Sequence, residues 1–211
     1  MTLLYLIRHA RSAWNAEGRW QGQADPELDD VGLAQAAALA HFLRREPLIA
    51  VHSSPQSRAR QTAEAVAAEH GLAVRLDDRL KERDVGVWSG LTEAEVRARY
   101  PADFTPTWWV KGPPGGESQA QVRARAAAAF AEIAAAQPDG AHVAIISHGG
   151  LLNAYLHDLF AIPLEQSVAF RFDNTAIARV RIWPDRVQLL SLGETAHLAS
   201  MPKPGPSGQV V

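Results

Sequence analysis

The sequence contains no cysteine among its 211 residues. This absence excludes disulfide bonds, thiolate metal sites and every mechanism that needs a cysteine nucleophile, and it is compatible with a reducing compartment. A long apolar run is also missing at the N-terminus. The stretch Leu3–Ile7 is too short for a signal peptide or a membrane span, and no small-residue cleavage site follows it. We therefore expect a cytoplasmic protein with no membrane partner.

An excess of charge of either sign is absent as well. The 21 Lys and Arg residues and the 23 Asp and Glu residues leave a formal net charge of −2, with a pI near 6.4. Nucleic acids and membrane surfaces attract proteins through a basic patch or a basic net charge. We therefore expect no nucleic-acid partner, and any anion that the protein binds must be held by positive groups placed locally around it.

What the sequence does have is enough apolar chain for one sizeable core, since 47% of the residues are hydrophobic and 21% are charged. A chain of this length with an α/β pattern usually folds as one domain. We predict a single domain over residues 1–200. The tail at 201–211 holds three prolines and two glycines, a composition that predicts disorder.

Short apolar runs alternate with segments of helical periodicity along most of the chain, which predicts a three-layer α/β/α sandwich around a mostly parallel sheet. Residues 100–116, rich in Pro and Trp, predict an irregular excursion where a lid over a site would lie. The predicted strands are Leu3–Ile7, Leu48–His52, Ala73–Leu76, a short piece near Leu80, His142–Ile146, Val168–Phe172, Ala176–Trp183 and Val187–Leu192. The predicted helices run from a cap at Asp30 to about Arg45, from Ser53-Ser54-Pro55 to Gly71, after a Thr92–Glu95 capping box, from Ser118 to Ala136 and from Gly149 to Phe160.

Polar residues follow several of the predicted strands. Arg8 and His9 come directly after the first strand, and His148 and Gly149 come after a later one. Arg58 lies in the first turns of the helix that follows the second strand. Because sites in such sheets form beyond the carboxyl ends of the strands, we expect these residues to meet there.

These residue types supply each part of a phosphoryl transfer through a phosphohistidine. A neutral imidazole can act as the nucleophile, and His9 is the candidate. The phosphoryl oxygens need guanidinium groups and N–H donors around them, which Arg8, Arg58 and His148 could provide. A carboxylic acid must protonate the leaving alkoxide and then activate water, a role for which Glu82 is the candidate. Further neutral donors are Asn15 and the backbone N–H of Gly149.

Five ordered stretches of the chain resemble the motifs of a known family. LIRHARSAWN resembles the signature of the histidine phosphatase superfamily, also called phosphoglycerate mutase-like. The resemblance continues in the family's order through GQADPELDDVGLAQAAALA, SSPQSRARQTAEAV, LKERDVGVWSGLT and ISHGG, from residue 3 to about 152. Any one stretch is weak, whereas the ordered set is specific. The chain resembles most the short, cofactor-independent phosphatases of the family.

The resemblance implies a phosphoglycerate mutase-like fold and a phosphatase that needs neither a metal nor a cofactor. In this interpretation His9 takes the phosphoryl group, Arg8, Arg58 and His148 bind its oxygens, and Glu82 is the proton donor. The substrate is then a small phosphorylated metabolite. The residues that would complete its pocket are Asn15, Ser12, Gln21 and Gly149.

Two positions depart from the family pattern. Ala10 stands where glycine is common, which restricts the backbone beside His9. Asp29 and Asp30 stand where a pair such as Leu-Thr is usual, and we expect this change to affect only a helix cap. Neither departure removes a reacting group.

Other functions stay open at this level. A phosphoglycerate mutase would return the phosphoryl group to another hydroxyl, but mutases of the family are generally longer and carry a tyrosine and a lysine that ERDVGVWSGLT lacks. The excursion also offers Lys111 in place of their paired arginines. A regulatory module that only binds phosphate would not need Glu82, and arginines beside a cation disfavour a metal hydrolase. A homodimer through the strand-rich C-terminal third is neither required nor excluded.

Overall fold

A six-stranded sheet occupies the centre of the protein, in a computed structural model that describes residues 1–166 and 168–201. Its strands are β1 (Thr2–Arg8), β2 (Leu48–Ser53), β3 (Val74–Leu76), β4 (His142–Ser147), β5 (Ile177–Ile182) and β6 (Val187–Glu194). The order across the sheet is β3-β2-β4-β1-β5-β6. The first four strands of this order are parallel to one another, β5 pairs antiparallel with β1, and β6 pairs antiparallel with β5. The predicted mostly parallel α/β sheet is confirmed.

Helices cover both faces of this sheet. The helices are α1 (Ala13–Ala16), α2 (Asp30–Leu43), α3 (Ser57–His70), α4 (Glu93–Arg99), α5 (Trp108–Lys111), α6 (Gln119–Ala135) and α7 (Gly149–Leu159). Apolar residues of α2 and α3 pack on one face of the sheet, and those of α6 and α7 pack on the other. The result is the predicted three-layer sandwich.

The alternation of side chains along β1 explains its continuous apolar run. Leu4 and Leu6 pack toward α6 and α7, whereas Tyr5 and Ile7 pack toward α2 and α3. Successive side chains of a strand point to opposite faces, so a strand buried on both faces is apolar at every position. Arg8, the last residue of β1, brings the first charge to the carboxyl edge of the sheet.

Two helix ends follow the predicted signals, and the cap of α2 is shifted by one residue. Thr92 and Glu95 form the capping box of α4, and Gly71 ends α3 in the left-handed conformation with a φ of 62°. The cap of α2 is Asp29 rather than Asp30. Asp29 has an extended backbone, and its carboxylate accepts a hydrogen bond from the N–H of Gly32 at 2.8 Å.

The start of α3 differs from the prediction. Ser53 belongs to β2, Pro55 and Gln56 form a bend, and the helix begins only at Ser57. The carboxylate of Asp25 accepts from the backbone N–H of Ser57 at 2.6 Å and from its hydroxyl at 2.9 Å. This cap comes from a distant segment and leaves no local signal, so the predicted serine cap is wrong.

Two predicted strands are not found in the part of the chain that the structure describes. The piece near Leu80 is a turn of 3-10 helix. Val168–Phe172 has no regular structure, because side chains satisfy its backbone groups. The N–H and carbonyl of Phe170 bond to the side-chain amide of Asn153 at 2.7 and 2.8 Å.

Two further segments differ from simple loops. The polar stretch after β1 contains the short helix α1, capped by Ser12, and residues 100–116, named here the lid segment, contain α5. Residues 202–211, most of the tail that the sequence predicts as disordered, lie outside the described residues. No helix of the described residues is both long and apolar enough to span a membrane.

Candidate active site

The nucleophile candidate lies where β1 and β4 end side by side. Arg8 pairs with Ser147 in the register of these two strands, so the next residues, His9 and His148, leave the sheet together. Their buried imidazole rings lie 5.0 Å apart between centroids. The tertiary structure thus brings the two histidine motifs of the sequence to one edge of the sheet.

His9 is held in a single tautomer. Its Nδ1 lies 2.7 Å from the carbonyl oxygen of Ala10. A carbonyl oxygen only accepts, so Nδ1 carries the proton and Nε2 keeps its lone pair. Burial lowers the pKa of His9 well below its usual value, and the charges of Arg58 and Arg8 lower it further. His9 is therefore a neutral imidazole with a nucleophilic Nε2 at neutral pH.

Residues that the sequence motifs do not include fix the backbone of His9. The side-chain N–H of Asn174 donates to the His9 carbonyl oxygen at 3.1 Å, and the backbone N–H of Thr175 donates to the Arg8 carbonyl oxygen at 3.1 Å. Thr175 has a left-handed φ of 59°, which is costly for a β-branched residue and recurs at functional sites. The only sequence signal for this turn is its asparagine, a residue type favoured in turns.

Ala10 fits the position where the family commonly has glycine. Its backbone is not among the left-handed residues of the described chain, and its side chain packs against Leu28 and Ala36. Its N–H donates to the hydroxyl of Thr62 at 3.0 Å, and that hydroxyl donates to the Arg58 carbonyl oxygen at 2.7 Å. Alanine therefore causes no backbone strain here, and Thr62 connects the segment that carries His9 to α3.

Two buried guanidinium groups flank His9. Arg58 is fully buried and donates to the carbonyl oxygens of Gly22 at 2.9 Å and Ala24 at 2.8 Å. Arg8 donates to the carbonyl oxygen of Phe172 at 2.7 Å. Burial lowers the pKa of Arg58 to about 10, so its charge remains at neutral pH. These bonds fix both cations in place before any anion arrives.

The carboxylate of Glu82 lies at the N-terminus of α7. It accepts hydrogen bonds from the backbone N–H groups of Gly150 and Leu151, each at 3.1 Å, and from that of Arg83 at 2.7 Å. A Cβ atom at Gly150 would lie 2.5 Å from Oε1 of Glu82, so glycine is needed for this close approach. Glu82 is thereby held beside the helix that begins directly after His148.

Most of the predicted site residues line one cavity that is partly open to solvent. Three predicted site residues, His148, Ser12 and Asn15, are not part of its lining. The hydroxyl of Ser12 donates to Oε1 of Gln21 at 2.8 Å, and Oδ1 of Asn15 accepts from Asn174 at 3.3 Å, so both support residues nearer the cavity. The lining residues are Arg8, His9, Trp20, Gln21, Gly22, Arg58, Glu82, Arg83, Val85, Trp108, Gly149 and Gly150.

Comparison with known proteins gives the family. The description "Histidine phosphatase superfamily (branch 1)" matches residues 4–195. This chain belongs to that superfamily. Phosphoserine phosphatase 1 of Hydrogenobacter thermophilus is 37% identical to this histidine phosphatase over 203 residues, which cover 94% of this chain and 95% of that protein.

Two further relatives span most of the chain. The probable phosphoglycerate mutase GpmB of Yersinia pestis is 31% identical over 211 residues, with 94% of this chain and 95% of that protein covered. A solved structure of mycobacterial glucosyl-3-phosphoglycerate phosphatase in complex with VO3 matches with a TM-score of 0.84 and 32% identity, over 92% of this chain and 99% of that one. The predicted family, fold class and phosphatase activity are confirmed.

A third arginine of the histidine phosphatase lines the cavity, and the sequence motifs did not single it out. Arg83 follows Glu82 directly, and the residue is 7% exposed. Its guanidinium donates to the carbonyl oxygen of Trp109 at 3.2 Å and lies 5.8 Å from the ring centre of Trp108. Burial lowers the pKa of Arg83 to about 10, so the cavity holds a further fixed cation. Its position beside Glu82 in LKERD was the only signal.

An aromatic cluster joins the lid segment to the cavity. The ring of Trp108 lies 5.2 Å from that of Trp20 and 5.1 Å from that of Trp88, between centroids. Val85 packs in the same cluster. The lid segment of this histidine phosphatase therefore contributes Trp108 to the cavity wall, beside Arg83.

Proposed function

We propose that this histidine phosphatase hydrolyses small phosphomonoesters through a covalent phosphohistidine on His9, with Glu82 as general acid and then general base. The observation that carries the proposal is the state of His9: a neutral imidazole, with Nδ1–H bound to a carbonyl and Nε2 unprotonated, beside two fixed guanidinium groups. A merely phosphate-binding module would not need Glu82 in the same cavity.

In the first step Nε2 of His9 attacks phosphorus and the ester P–O bond breaks. The carboxylic acid form of Glu82 gives its proton to the leaving alkoxide. In the second step the carboxylate of Glu82 takes a proton from water, the water oxygen attacks phosphorus, and the P–N bond breaks. Inorganic phosphate leaves, and His9 and Glu82 return to their starting protonation states.

Charge on the phosphoryl oxygens is stabilised by preset donors. Arg8 and Arg58 supply guanidinium N–H groups, which match phosphate oxygens in pairs. Neither ring nitrogen of the buried His148 has a hydrogen-bond partner among the described residues, and its N–H is therefore available to a phosphoryl oxygen. The N–H of Gly149, at the N-terminus of α7, adds the positive end of a helix dipole.

We further propose that the substrate carries a carboxylate near its phosphate. Arg83 is a cation in the same cavity but lies on the segment of Glu82, next to the expected position of the leaving group. A guanidinium suits a carboxylate because its planar fork matches both oxygens. Esters such as phosphoserine and 3-phosphoglycerate have this chemistry.

The first experiment measures phosphate release from phosphoserine, 3-phosphoglycerate and p-nitrophenyl phosphate in the presence of EDTA, while 2-phosphoglycerate is monitored. We expect release without isomerisation. An ester that is radiolabelled in its phosphoryl group should transfer the label to the protein. The bound label should be stable to alkali and lost in acid, as expected for a P–N bond.

His9→Ala should abolish both turnover and labelling, whereas His41→Ala, a change at an exposed histidine of α2, should preserve them. Activity retained by His9→Ala would exclude the phosphohistidine mechanism. Formation of 2-phosphoglycerate would instead assign a mutase, the activity suggested by the name of the Yersinia relative.

A further inference from the structure

The segment that carries Glu82 has little regular structure of its own. It runs over residues 79–84, named here the acid segment, and it leads from a single turn of 3-10 helix at 78–80, which it overlaps, to another at 86–88. The position of a proton donor must be accurate, since a misplacement of about 1 Å can cost about 10²-fold in rate. Contacts from elsewhere in the fold must therefore fix this segment.

Arg125, on α6, makes three of these contacts. Its guanidinium donates to the carbonyl oxygens of Arg79 at 2.9 Å, Lys81 at 2.6 Å and Glu82 at 3.0 Å. The remaining two N–H groups donate to Oε1 and Oε2 of Glu117 at 2.8 and 2.7 Å. All five donors of this arginine are thus used, three of them on the acid segment.

Glu117 completes the contact from the other side. Its Oε2 accepts from the backbone N–H of Asp84 at 2.8 Å, and its own N–H donates to the Asp84 carbonyl oxygen at 2.9 Å. Glu117 directly follows the lid segment, and a Cβ atom at the preceding Gly116 would lie 2.5 Å from the Asp84 carbonyl oxygen. The end of the lid segment and the acid segment are therefore packed backbone to backbone.

We propose that Arg125 and Glu117 are positioning residues for the general acid. Their side chains are 18% and 20% exposed, and neither lines the cavity, so they act through Glu82 and do not touch the substrate. The inference rests on the proposed role of Glu82. The pair holds the acid segment so that the Glu82 carboxylate meets the N-terminus of α7, and it joins that segment to the end of the lid segment.

The test uses Arg125→Lys and Glu117→Gln. Lysine keeps the charge of Arg125 but has three donors and no planar fork. Values of kcat/KM are measured on an alkyl phosphate, which needs its leaving group protonated, and on p-nitrophenyl phosphate, which needs little protonation. We expect a loss of about 10²-fold on the alkyl ester and a much smaller loss on the aryl ester for both variants. Glu82→Gln should show the same pattern with a larger loss, about 10²- to 10⁴-fold on the alkyl ester.

Arg123→Lys is the matched control. Arg123 lies on the same helix and also donates to two carbonyl oxygens, those of Ile162 at 2.7 Å and His157 at 2.9 Å, but it does not contact the acid segment. This variant should show no difference between the two esters. Equal losses on both esters for Arg125→Lys and Glu117→Gln, in folded protein, would reduce the pair to a structural role and overturn the proposal.

The double variant Glu82→Gln/Glu117→Gln separates the two proposals. Without the acid, loss of the positioning residue should cost nothing more on the alkyl ester, so the effects should not add. Additive effects would overturn the positioning role while the role of Glu82 stands. If Glu82→Gln itself shows no dependence on the leaving group, the proposed acid is wrong, whatever the other variants do. The Glu117→Gln series gives the result even if Arg125→Lys does not fold.

Discussion

Single side chains set the chemistry of this site by the bonds that they make to backbone carbonyls. The Ala10 carbonyl selects the tautomer of His9, and the carbonyls of Gly22 and Ala24 orient Arg58. A carbonyl accepts only, so each bond decides which atoms of the ring or guanidinium stay available. The same logic applies to Arg83, one of whose N–H groups is bound by the lid segment.

Arg83→Met should impair substrates that carry a carboxylate. A hydrogen bond to a charged group contributes about 1.5 to 3 kcal/mol, so kcat/KM for phosphoserine should fall by about 10- to 100-fold. Ethyl phosphate, which has no carboxylate, should be affected little. The measurement is the ratio of kcat/KM for phosphoserine to kcat/KM for ethyl phosphate, because this ratio cancels any general effect of the substitution on the adjacent Glu82. An unchanged ratio would contradict the proposed carboxylate specificity.

The helices contribute to the site mainly through their N-termini. The N-terminus of α7 follows β4 directly, so its first N–H groups lie at the carboxyl edge of the sheet and receive Glu82. The N-terminus of α3 is capped by Asp25 from a loop that also supplies Gly22 to the cavity wall. Helix starts thus join segments that are far apart in the chain.

Gly150→Ala tests the approach of Glu82 to α7. The new Cβ would lie 2.5 Å from Oε1 of Glu82, and the flexible carboxylate, rather than the helix, should move. We expect activity on alkyl phosphates to fall by about 10²-fold, with a smaller loss on p-nitrophenyl phosphate.

The fold should withstand this change, because alanine favours a helix over glycine by about 1 kcal/mol. Thermal unfolding of the variant serves as the control. Full activity of Gly150→Ala on the alkyl ester would show that the carboxylate does not need its observed position.

For the molecule as a whole, neutral histidines that are buried or half-buried predict how stability depends on pH. Burial is the main cause that lowers the pKa of His9 and His148 well below the usual value and that of His197 to about 4. In the unfolded chain these groups titrate near 6.5. Below that pH the unfolded chain binds protons that the folded chain does not, so stability decreases as the pH falls from about 6.5 toward 4.

His197→Gln should make this decrease shallower while leaving activity intact. Glutamine keeps a donor for the hydroxyl of Thr175, which His197 contacts at 2.9 Å, but it takes up no proton on unfolding. The measurement is the unfolding midpoint of both proteins between pH 7.5 and 4. His41→Gln, at an exposed histidine, is the control, and parallel curves for His197→Gln and the parent protein would refute the prediction.

Secondary structure was predictable wherever its signals are local. The continuous apolar runs of β1 and β4, the glycine that ends α3 and the capping box of α4 depend on residues close in sequence. The errors fall where a distant group replaces a local one. Asn153 satisfies the backbone of Phe170 and prevents a strand there, and Asp25 moves the start of α3.

The sequence by itself determined the family, the α/β class and the residue types of the site, because ordered motifs at strand ends specify both the topology and the chemistry. Only the tertiary structure decided which ring nitrogen of His9 keeps its lone pair, that Arg83 enters the cavity and that Arg125 contacts the acid segment. The physical reason is that each of these depends on a contact between segments joined only by folding. The bond from Arg125 to the Glu82 carbonyl oxygen spans 43 positions of the chain, and no local pattern records it.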